Sequence, residues 1–265
     1  MLIRGGGDLA SGVAARLHGV GLRVLINELA QPLVVRRKVA FAEAVYQGIA
    51  TVEDLAAQKV DTHADVLLVL AEGMLPVLVD EAGESINAFS PVVLVDARML
   101  KRAPETSLNA AGLVVGLGPG FSAGEDCHAV IETMRGHDLG RVIWAGSALA
   151  DTGVPEAVLQ KQGQRVLRAP QAGEMRDGLP IGTLVETGEV VGYVDTAPVT
   201  APFSGVLRGL VADGLRVTRG MKIGDLDPRG DRGYAFRISD KALAVGGGVL
   251  EAVLTPPAIR AQLWR

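Results

Sequence analysis

Residues 169–195 and 201–227 of this 265-residue chain lie over one another at a constant offset of 32, with no gap and nine identities in 27 positions. The matched pairs are Ala169/Ala201, Pro170/Pro202, Gly173/Gly205, Arg176/Arg208, Gly182/Gly214, Val185/Val217, Gly188/Gly220, Gly192/Gly224 and Asp195/Asp227. Most are the glycines and prolines that decide where a chain turns, so one strand-and-turn pattern written twice is expected to fold as a single β unit. From Arg165 onward helical periodicity disappears and glycine or proline recurs every few residues, which places the boundary of that unit near Thr152 to Gln164.

The chain before that boundary alternates short β-branched runs with helical patterns, as parallel α/β sheets do. Strands are expected at Leu2–Arg4, Arg23–Ile26, Pro76–Val79, Val92–Val95, Leu113–Gly116 and Arg141–Trp144. Helices are expected at Leu9–Val20, Val39–Gln47, Val52–Gln58, Ala64–Met74 and Glu125–Met134. After the duplication, ISDKALAVGGGVLEAVL at 238–254 carries Ser239 as an N-cap and apolar residues at helical spacing around three glycines. A glycine inside a helix costs about 1 kcal/mol relative to alanine, so three together imply a break or a backbone pressed against a neighbour, and packing on the first domain is the expectation. The fold class is therefore α/β: a Rossmann-like parallel-sheet domain at 1–160, a small all-β lobe at 161–232, and a helical tail at 233–265.

Charge and composition narrow the partners. A net charge of −4 and a pI near 5.6 lack the basic excess that phosphate neutralisation requires, which argues against nucleic acid. No apolar run reaches the roughly 18 residues of a membrane span, and the most apolar stretch, Val66 to Val79, is broken by Glu72, Gly73 and Pro76. The start of the chain has no signal-peptide pattern, and a single cysteine, Cys127, suits a reducing compartment, so the cytoplasm is the expected location. Whether the chain forms a homo-oligomer stays open.

Three segments could carry chemistry. The run Gly5, Gly6, Gly7, Asp8, Leu9, Ala10, Ser11 follows a strand and opens a helix, matching GxGxxA through Gly5, Gly7 and Ala10. Such a turn lets a backbone approach a pyrophosphate at a helix N-terminus, with Glu28 at the end of the second strand placed for ribose hydroxyls. The same residues also satisfy a plain tight turn before a helix. Arg36 and Arg37 could clamp an anion with their planar guanidinium groups, or form a solvated pair. The segment 116–140 opens with Gly116, Gly118 and Gly120 after a buried strand, then carries Cys127, His128, Glu132, Arg135 and His137. A metal site from His128 and Glu132 is conceivable on a helix, but no HExxH or CxxC pattern supports one and no metal is assigned. If the chain is an enzyme, Glu132, His137 and Arg135 are the acid–base and anion-binding candidates.

Two resemblances add to this reading. The duplicated stretch, APxxG followed by GxxVxxG and an apolar strand, resembles the halves of biotinyl and lipoyl carrier domains, which implies a barrel-sandwich hybrid. The hairpin where those carriers hold the modified lysine reads Asp195, Thr196, Ala197, Pro198, Val199, with no amine to acylate, so the resemblance implies a docking element rather than a swinging arm. Across the whole chain, RGGGDLASGVAARL at 4–17, PLVVRRKVAFAEAVYQG at 32–48, GLGPGFSAGEDCHAVIETMRGHDLGRV at 116–142, APFSGVLRGLV, KIGDLDPRG and ISDKALAVGGGVLEA at 238–252 resemble the YqeB family, accessory proteins of selenium-dependent molybdenum hydroxylase systems. The resemblance implies a maturation factor for a hydroxylase of the xanthine dehydrogenase type, with that hydroxylase as client and selenium- and molybdenum-cofactor-handling factors as partners. A nucleotide or molybdopterin-type ligand is then expected in the α/β domain. Cys127 stands where the family carries an apolar residue, so the resemblance implies no role for it in holding selenium or sulfur. The alternatives are a nucleotide-dependent enzyme, an oxidoreductase or a cofactor-modifying transferase, and a ligand-free scaffold.

Overall fold

Short apolar runs that close on a polar residue build the centre of the molecule. In the computed structural model, which describes residues 1–100, 105–150 and 165–264, the elements of the first unit run β1 (Leu2–Arg4), α1 (Asp8–Gly19), β2 (Leu25–Glu28), α2 (Ala44–Gln47), β3 (Ile49–Val52), β4 (Leu55–Val60), α3 (His63–Ala71), β5 (Leu75–Val79), α4 (Glu84–Phe89), β6 (Val93–Asp96), β7 (Leu113–Leu117), β8 (Ser122–Ala123), β9 (Ala129–Ile131), β10 (Val142–Ile143) and β11 (Gly146–Ser147). The tail adds α5 (Asp240–Leu254) and α6 (Pro257–Arg260). This unit comprises Met1–Pro32, the described part of Ala40–Asp151, and the tail from Ile238.

Its sheet has nine strands in the order β10-β9-β7-β6-β1-β2-β5-β4-β3. From β9 to β4 every neighbouring pair is parallel, and an antiparallel strand closes each edge. Apart from β4, the parallel strands are almost wholly buried on both faces, which is why they read as continuous apolar runs rather than alternating ones. Leu2, Leu25, Leu78, Leu94 and Val114 face one layer of the core with Val66 and Val69 of α3, while Ile86 and Phe89 of α4 pack against it. The alternate row Ile3, Ile26, Val77, Val95 and Val115 is fully buried on the opposite side, where α5 lies on β7, β9 and β10 and packs along α1.

The three glycines of the tail resolve as close packing. α5 is continuous, Ser239 Oγ accepts from Ala242 N at 3.2 Å, and a Cβ on Gly246 would stand 2.6 Å from the carbonyl oxygen of Gly12 in α1. The reciprocal Cβ on Gly12 would stand 2.5 Å from the carbonyl of Ala242, and one on Gly248 would overlap the Gly140 carbonyl.

Three expected helices take other forms. Val52–Gln58 is a hairpin turning at Glu53 and Asp54, because β4 finds a parallel partner in β5 and pairing outweighs the helical propensity of Glu, Leu and Ala. Glu125–Met134 is a turn followed by β9, which pairs with β7 through Ala129 and Ile131. Val39–Gln47 is a single 3₁₀ turn at Phe41–Glu43 running into the short α2, preceded by another 3₁₀ turn at Arg37–Val39. The helix α4 was not expected at all; Asp80, just after β5, starts it by accepting from the backbone N–H groups of Gly83, Glu84 and Ser85.

The second unit comprises Leu33–Val39 and the described part of Thr152–Arg237; the stretch Thr152 to Gln164, where the boundary is expected, lies outside the described residues. Its strands are β12 (Val166–Arg168), β13 (Gly173–Arg176), β14 (Leu184–Val185), β15 (Val190–Val194), β16 (Ala197–Thr200), β17 (Gly205–Leu210), β18 (Arg216–Val217) and β19 (Lys222–Asp227). The starts of β13, β14 and β15 recur 32 residues later as those of β17, β18 and β19. The two repeats exchange a strand: β14 joins β17 and β19 in the sheet β12-β19-β17-β14, and β18 joins β13 and β15 in the sheet β16-β15-β13-β18. The register obeys the same symmetry, since Gly173 faces Val217 and Val185 faces Gly205, each residue 32 positions from its counterpart. Neither repeat could close its own sheet, which explains why the two share one core of Met175, Val191, Val194, Leu207, Ile223 and Leu226.

Candidate functional site

The turn after β1 carries Gly5, Gly6 and Gly7 past the carboxyl edge of the sheet, at the strand where the order reverses from β2 and β5 on one side to β6 and β7 on the other. Ligands of open parallel sheets bind at such a reversal. The three glycines have different causes. Gly5 has φ +93° and donates its N–H to the Asn27 carbonyl at 2.8 Å, so left-handed backbone requires it. A Cβ on Gly6 would stand 2.9 Å from the Ala42 nitrogen. Gly7 has φ −66° and ψ −177°, which any residue adopts, and among the described residues no neighbouring atom lies within 4 Å of where its Cβ would be. It is the N-cap of α1 and no side chain caps the helix there.

The chain's own groups engage the rest of the loop. Glu28, the last residue of β2, accepts from Gly6 N through Oε2 at 2.7 Å and from Leu29 N through Oε1 at 2.8 Å. Burial pushes its carboxyl above the usual range, and these two hydrogen bonds only partly oppose that. Ser11 is fully buried; its hydroxyl donates to the Gly7 carbonyl at 2.9 Å and accepts from Phe41 N at 2.9 Å, pinning the segment before α2 to the loop together with Ala42 N donating to the Gly6 carbonyl. Ser11 is therefore a structural brace. Asp8 opens α1, where a carboxylate complements the helix dipole.

Beside the loop lies a polar row that the sequence reading missed. Asp96 and Arg4 end β6 and β1, Asn27 stands one residue before the end of β2, Arg4 pairs in register with both of the others, and all three are buried. Asp96 accepts from Arg98 Nε and Nη2 at 2.9 and 2.7 Å and from the Thr106 hydroxyl at 2.6 Å. Burial opposes the charge of Arg98, but Asp96 and then Glu105 together more than offset this and raise its pKa. Arg4 has its pKa lowered by burial and by the neighbouring Arg98. Asn27 Nδ2 donates to Asp80 and Ser85, and its buried Oδ1 has no hydrogen-bond partner among the described residues. The signal was present in LIR, LIN and VLVD, apolar runs each ending in a residue that a buried strand tolerates only at a sheet edge.

The other candidates are not assembled into one site. Gly116 is occupied by packing, since a Cβ there would overlap the Phe121 ring, and Gly118 (φ +72°) would meet the Thr133 hydroxyl at 2.5 Å. Gly120 turns the chain with φ +105°. Glu132 is buried and accepts from Met134 N at 2.6 Å and Leu149 N at 2.8 Å, which makes it a loop clamp. Arg135 forms a two-point ion pair with Asp240 at the start of α5. His137 sits on an exposed turn. His128 is on the approach to β9, where its Nδ1 accepts from Val114 N at 3.0 Å. Among the described residues no three His, Cys, Asp or Glu groups are placed to hold a metal ion. Arg36 and Arg37 belong to the second unit, where Arg36 donates to the carbonyls of Tyr234 and Arg237 and Arg37 donates to that of Leu210. Cys127 is buried, and burial pushes its thiol up to about 11. Among the described residues no helix is long and apolar enough to cross a membrane.

Comparison with known proteins gives one strong match. The chain is 46% identical over 254 residues, 96% of its length, to the uncharacterized protein YqeB of Escherichia coli (strain K12). It covers 47% of that protein, so it spans about half the length of the curated relative it matches. No family model matches. Among solved structures it is similar to a succinylglutamate desuccinylase/aspartoacylase from Rhodobacter sphaeroides, at 26% identity over 32% of this chain and 29% of that one with a TM-score of 0.21. It is also similar to an aspartoacylase family protein from Mesorhizobium loti, at 12% identity over 82% and 60% of the two chains with a TM-score of 0.24. Likenesses at such scores carry no argument about the site.

Proposed function

We propose that this homologue of YqeB is a maturation factor for a selenium-dependent molybdenum hydroxylase of the xanthine dehydrogenase type, and that its α/β unit binds a nucleotide or molybdopterin-type ligand at the loop Gly5–Gly7. The observation that carries the ligand is Gly7. Neither its backbone conformation nor any neighbour among the described residues requires a glycine there, whereas close approach of a diphosphate to the backbone does. Two further features support it: the strand order β5-β2-β1-β6-β7-β9, which is that of a Rossmann-like sheet with β1 at the reversal, and the Glu28 carboxylate at the end of β2. The hydroxylase context is supported by the resemblance of the blocks at 4–17, 32–48, 116–142 and 238–252 to the YqeB family. On this reading the second unit is a barrel-sandwich hybrid without an acceptor, since its hairpin turns at Asp195 and Thr196 and that carboxylate is bonded to Glu174 N. It would serve to dock a client enzyme.

A thermal-shift screen with NAD, NADP, ATP, CTP and molybdopterin nucleotides tests the ligand. A compound present at a hundred times its dissociation constant adds about 2.7 kcal/mol of stability. The context is tested in cells lacking the protein, where the hydroxylase polypeptide is expected at normal abundance with its activity lost. A screen that moves nothing, together with full hydroxylase activity in those cells, overturns the proposal.

A further inference from the structure

We infer that Arg4 is an anion receptor: from the end of β1, on the face of the sheet opposite α1, its guanidinium takes a singly charged oxyanion of a ligand, a carboxylate or a phosphodiester. The inference rests on the bonding within the buried polar row and is independent of the reading of Gly5–Gly7 as a nucleotide site.

The row continues one layer of the core. Leu2, Leu25 and Leu94 belong to the cluster formed with α3, and side chains alternate along a strand, so Arg4, Asn27 and Asp96, each two residues further on, share that face. Arg4 is only 6% exposed. Its guanidinium reaches the turn after β5, where a Cβ on Gly83 would stand 3.2 Å from Nη2. A guanidinium carries five N–H donors. Among the described residues, that of Arg4 makes one hydrogen bond, a long one of 3.4 Å from Nη1 to the Thr106 hydroxyl.

The carboxylates that would ordinarily answer it are occupied. A carboxylate has about four acceptor positions. Asp96 fills them with Arg98 N and Nε on Oδ1 and with Arg98 Nη2 and the Thr106 hydroxyl on Oδ2. Asp80 fills them with Gly83 N and Glu84 N on Oδ1 and with Ser85 N and Asn27 Nδ2 on Oδ2. Glu105 lies 3.7 Å from Arg98 on the exposed side. Arg4 thus feels these charges without being bonded to them, and its pKa is lowered, by burial first and by Arg98 second. Beside it, the buried Oδ1 of Asn27 also has no hydrogen-bond partner among the described residues. A charge kept buried and unbonded costs stability in the unliganded fold, and an oxyanion that accepts two parallel N–H bonds offsets that cost. Asp80 and Glu105 already act on Arg4, so one further negative charge suits the site and a doubly charged phosphate monoester is disfavoured.

Melting of the full chain in sodium acetate and in sodium dimethyl phosphate, against sodium chloride at equal ionic strength, tests this and separates the two sources. At least one anion is expected to raise the midpoint by about 2–6 °C at roughly ten times its dissociation constant; acetate identifies a carboxylate, dimethyl phosphate a phosphodiester. Arg4→Met is expected to abolish the rise and, in chloride, to melt no lower than the wild type, because it removes an unbonded charge and keeps the apolar volume. Arg23→Met, exposed just before β2 at the opposite edge of the sheet, is expected to keep the full rise. If Arg4→Met does not fold, Arg4→Lys decides: it keeps the charge and loses the fork, so binding at least about tenfold weaker is expected. No rise with either anion, a rise that survives in Arg4→Met, or an unchanged affinity in Arg4→Lys overturns the inference. Each of these leaves the nucleotide reading standing, since neither probe carries a base or a ribose.

Discussion

Neighbouring glycines in one loop answer to different forces, and substitution can separate them. Gly6→Ala puts a methyl 2.9 Å from a backbone nitrogen that cannot retreat, and is expected to cost about 1–3 kcal/mol as an overpacking change. Gly7→Ser fits the existing backbone and supplies an N-cap oxygen, so stability is expected to hold or rise by a few tenths of a kcal/mol, while binding of whichever nucleotide the screen selects falls at least about tenfold. Thermal melts and titrations of the two variants check this, and loss of stability in Gly7→Ser would remove the argument that the position is free for a ligand. Cys127 is a second case in which surroundings decide the chemistry. With its thiol pushed up to about 11 by burial, the reactive thiolate is scarce at neutral pH. The native protein is expected to resist a disulfide reagent at pH 8 for hours and to react within seconds in denaturant; rapid labelling of the native chain would contradict the burial.

Among the elements, the contact of α1 with α5 depends on small residues at the crossing. Gly246→Val would drive two methyl groups into the Gly12 carbonyl, 2.6 Å from the first added carbon, and is expected to destabilise the first unit by about 3 kcal/mol or more. Gly247→Ala, one position on and facing open space, is expected to stabilise by up to about 1 kcal/mol because alanine is the better helix former. The pair of melts distinguishes a packing seam from a flexible tail, and equal effects would rule the seam out. In the second unit, β19 ends on Asp227, whose burial raises its carboxyl but is outweighed by the hydrogen bonds and charge of Arg229 and by Arg208, leaving it below the usual value. A carboxylate depressed in the folded state stabilises above its unfolded value near 3.8 and loses that contribution as pH falls through the folded one. Arg229→Met is therefore expected to lower stability at pH 6 by an amount that shrinks as the pH falls below the unfolded value near 3.8; a difference that does not shrink on acidification would mean lost packing of the Arg229 guanidinium, which lies 4.0 Å from the centre of the Tyr234 ring, rather than lost charge.

At the scale of the molecule, both units reach stability by joining segments distant in the chain. The first needs a helix from the last thirty residues to cover β7, β9 and β10, and the second needs each repeat to lend a strand to the other's sheet. The consequence for function is a division of labour. On the proposed reading the lobe, with no amine at its hairpin, leaves the ligand to the sheet edge where Glu28 holds Gly6, next to Gly7. That edge has one open glycine, one fixed carboxylate and a buried row of Asp96, Arg4 and Asn27 beneath it.

The repeat, the glycine loop before α1, the parallel apolar strands and the Ser239 cap were legible in the sequence, because each depends on residues close in the chain or on turn chemistry that only glycine and proline satisfy. The hairpin at Ile49–Val60 and the strand at Ala129–Ile131 were not, because their local propensities favour helix and only a partner strand far away in sequence overrides them. The site divides in the same way. Gly5–Gly7 and Glu28 could be named from spacing, but which glycine is left open, that Ser11 is spent on Phe41, and that Glu132 and Arg135 serve as clamps were decided by the segments folded over them. Sequence specifies which groups are available; tertiary contact determines which of them the fold consumes and which it leaves for a ligand.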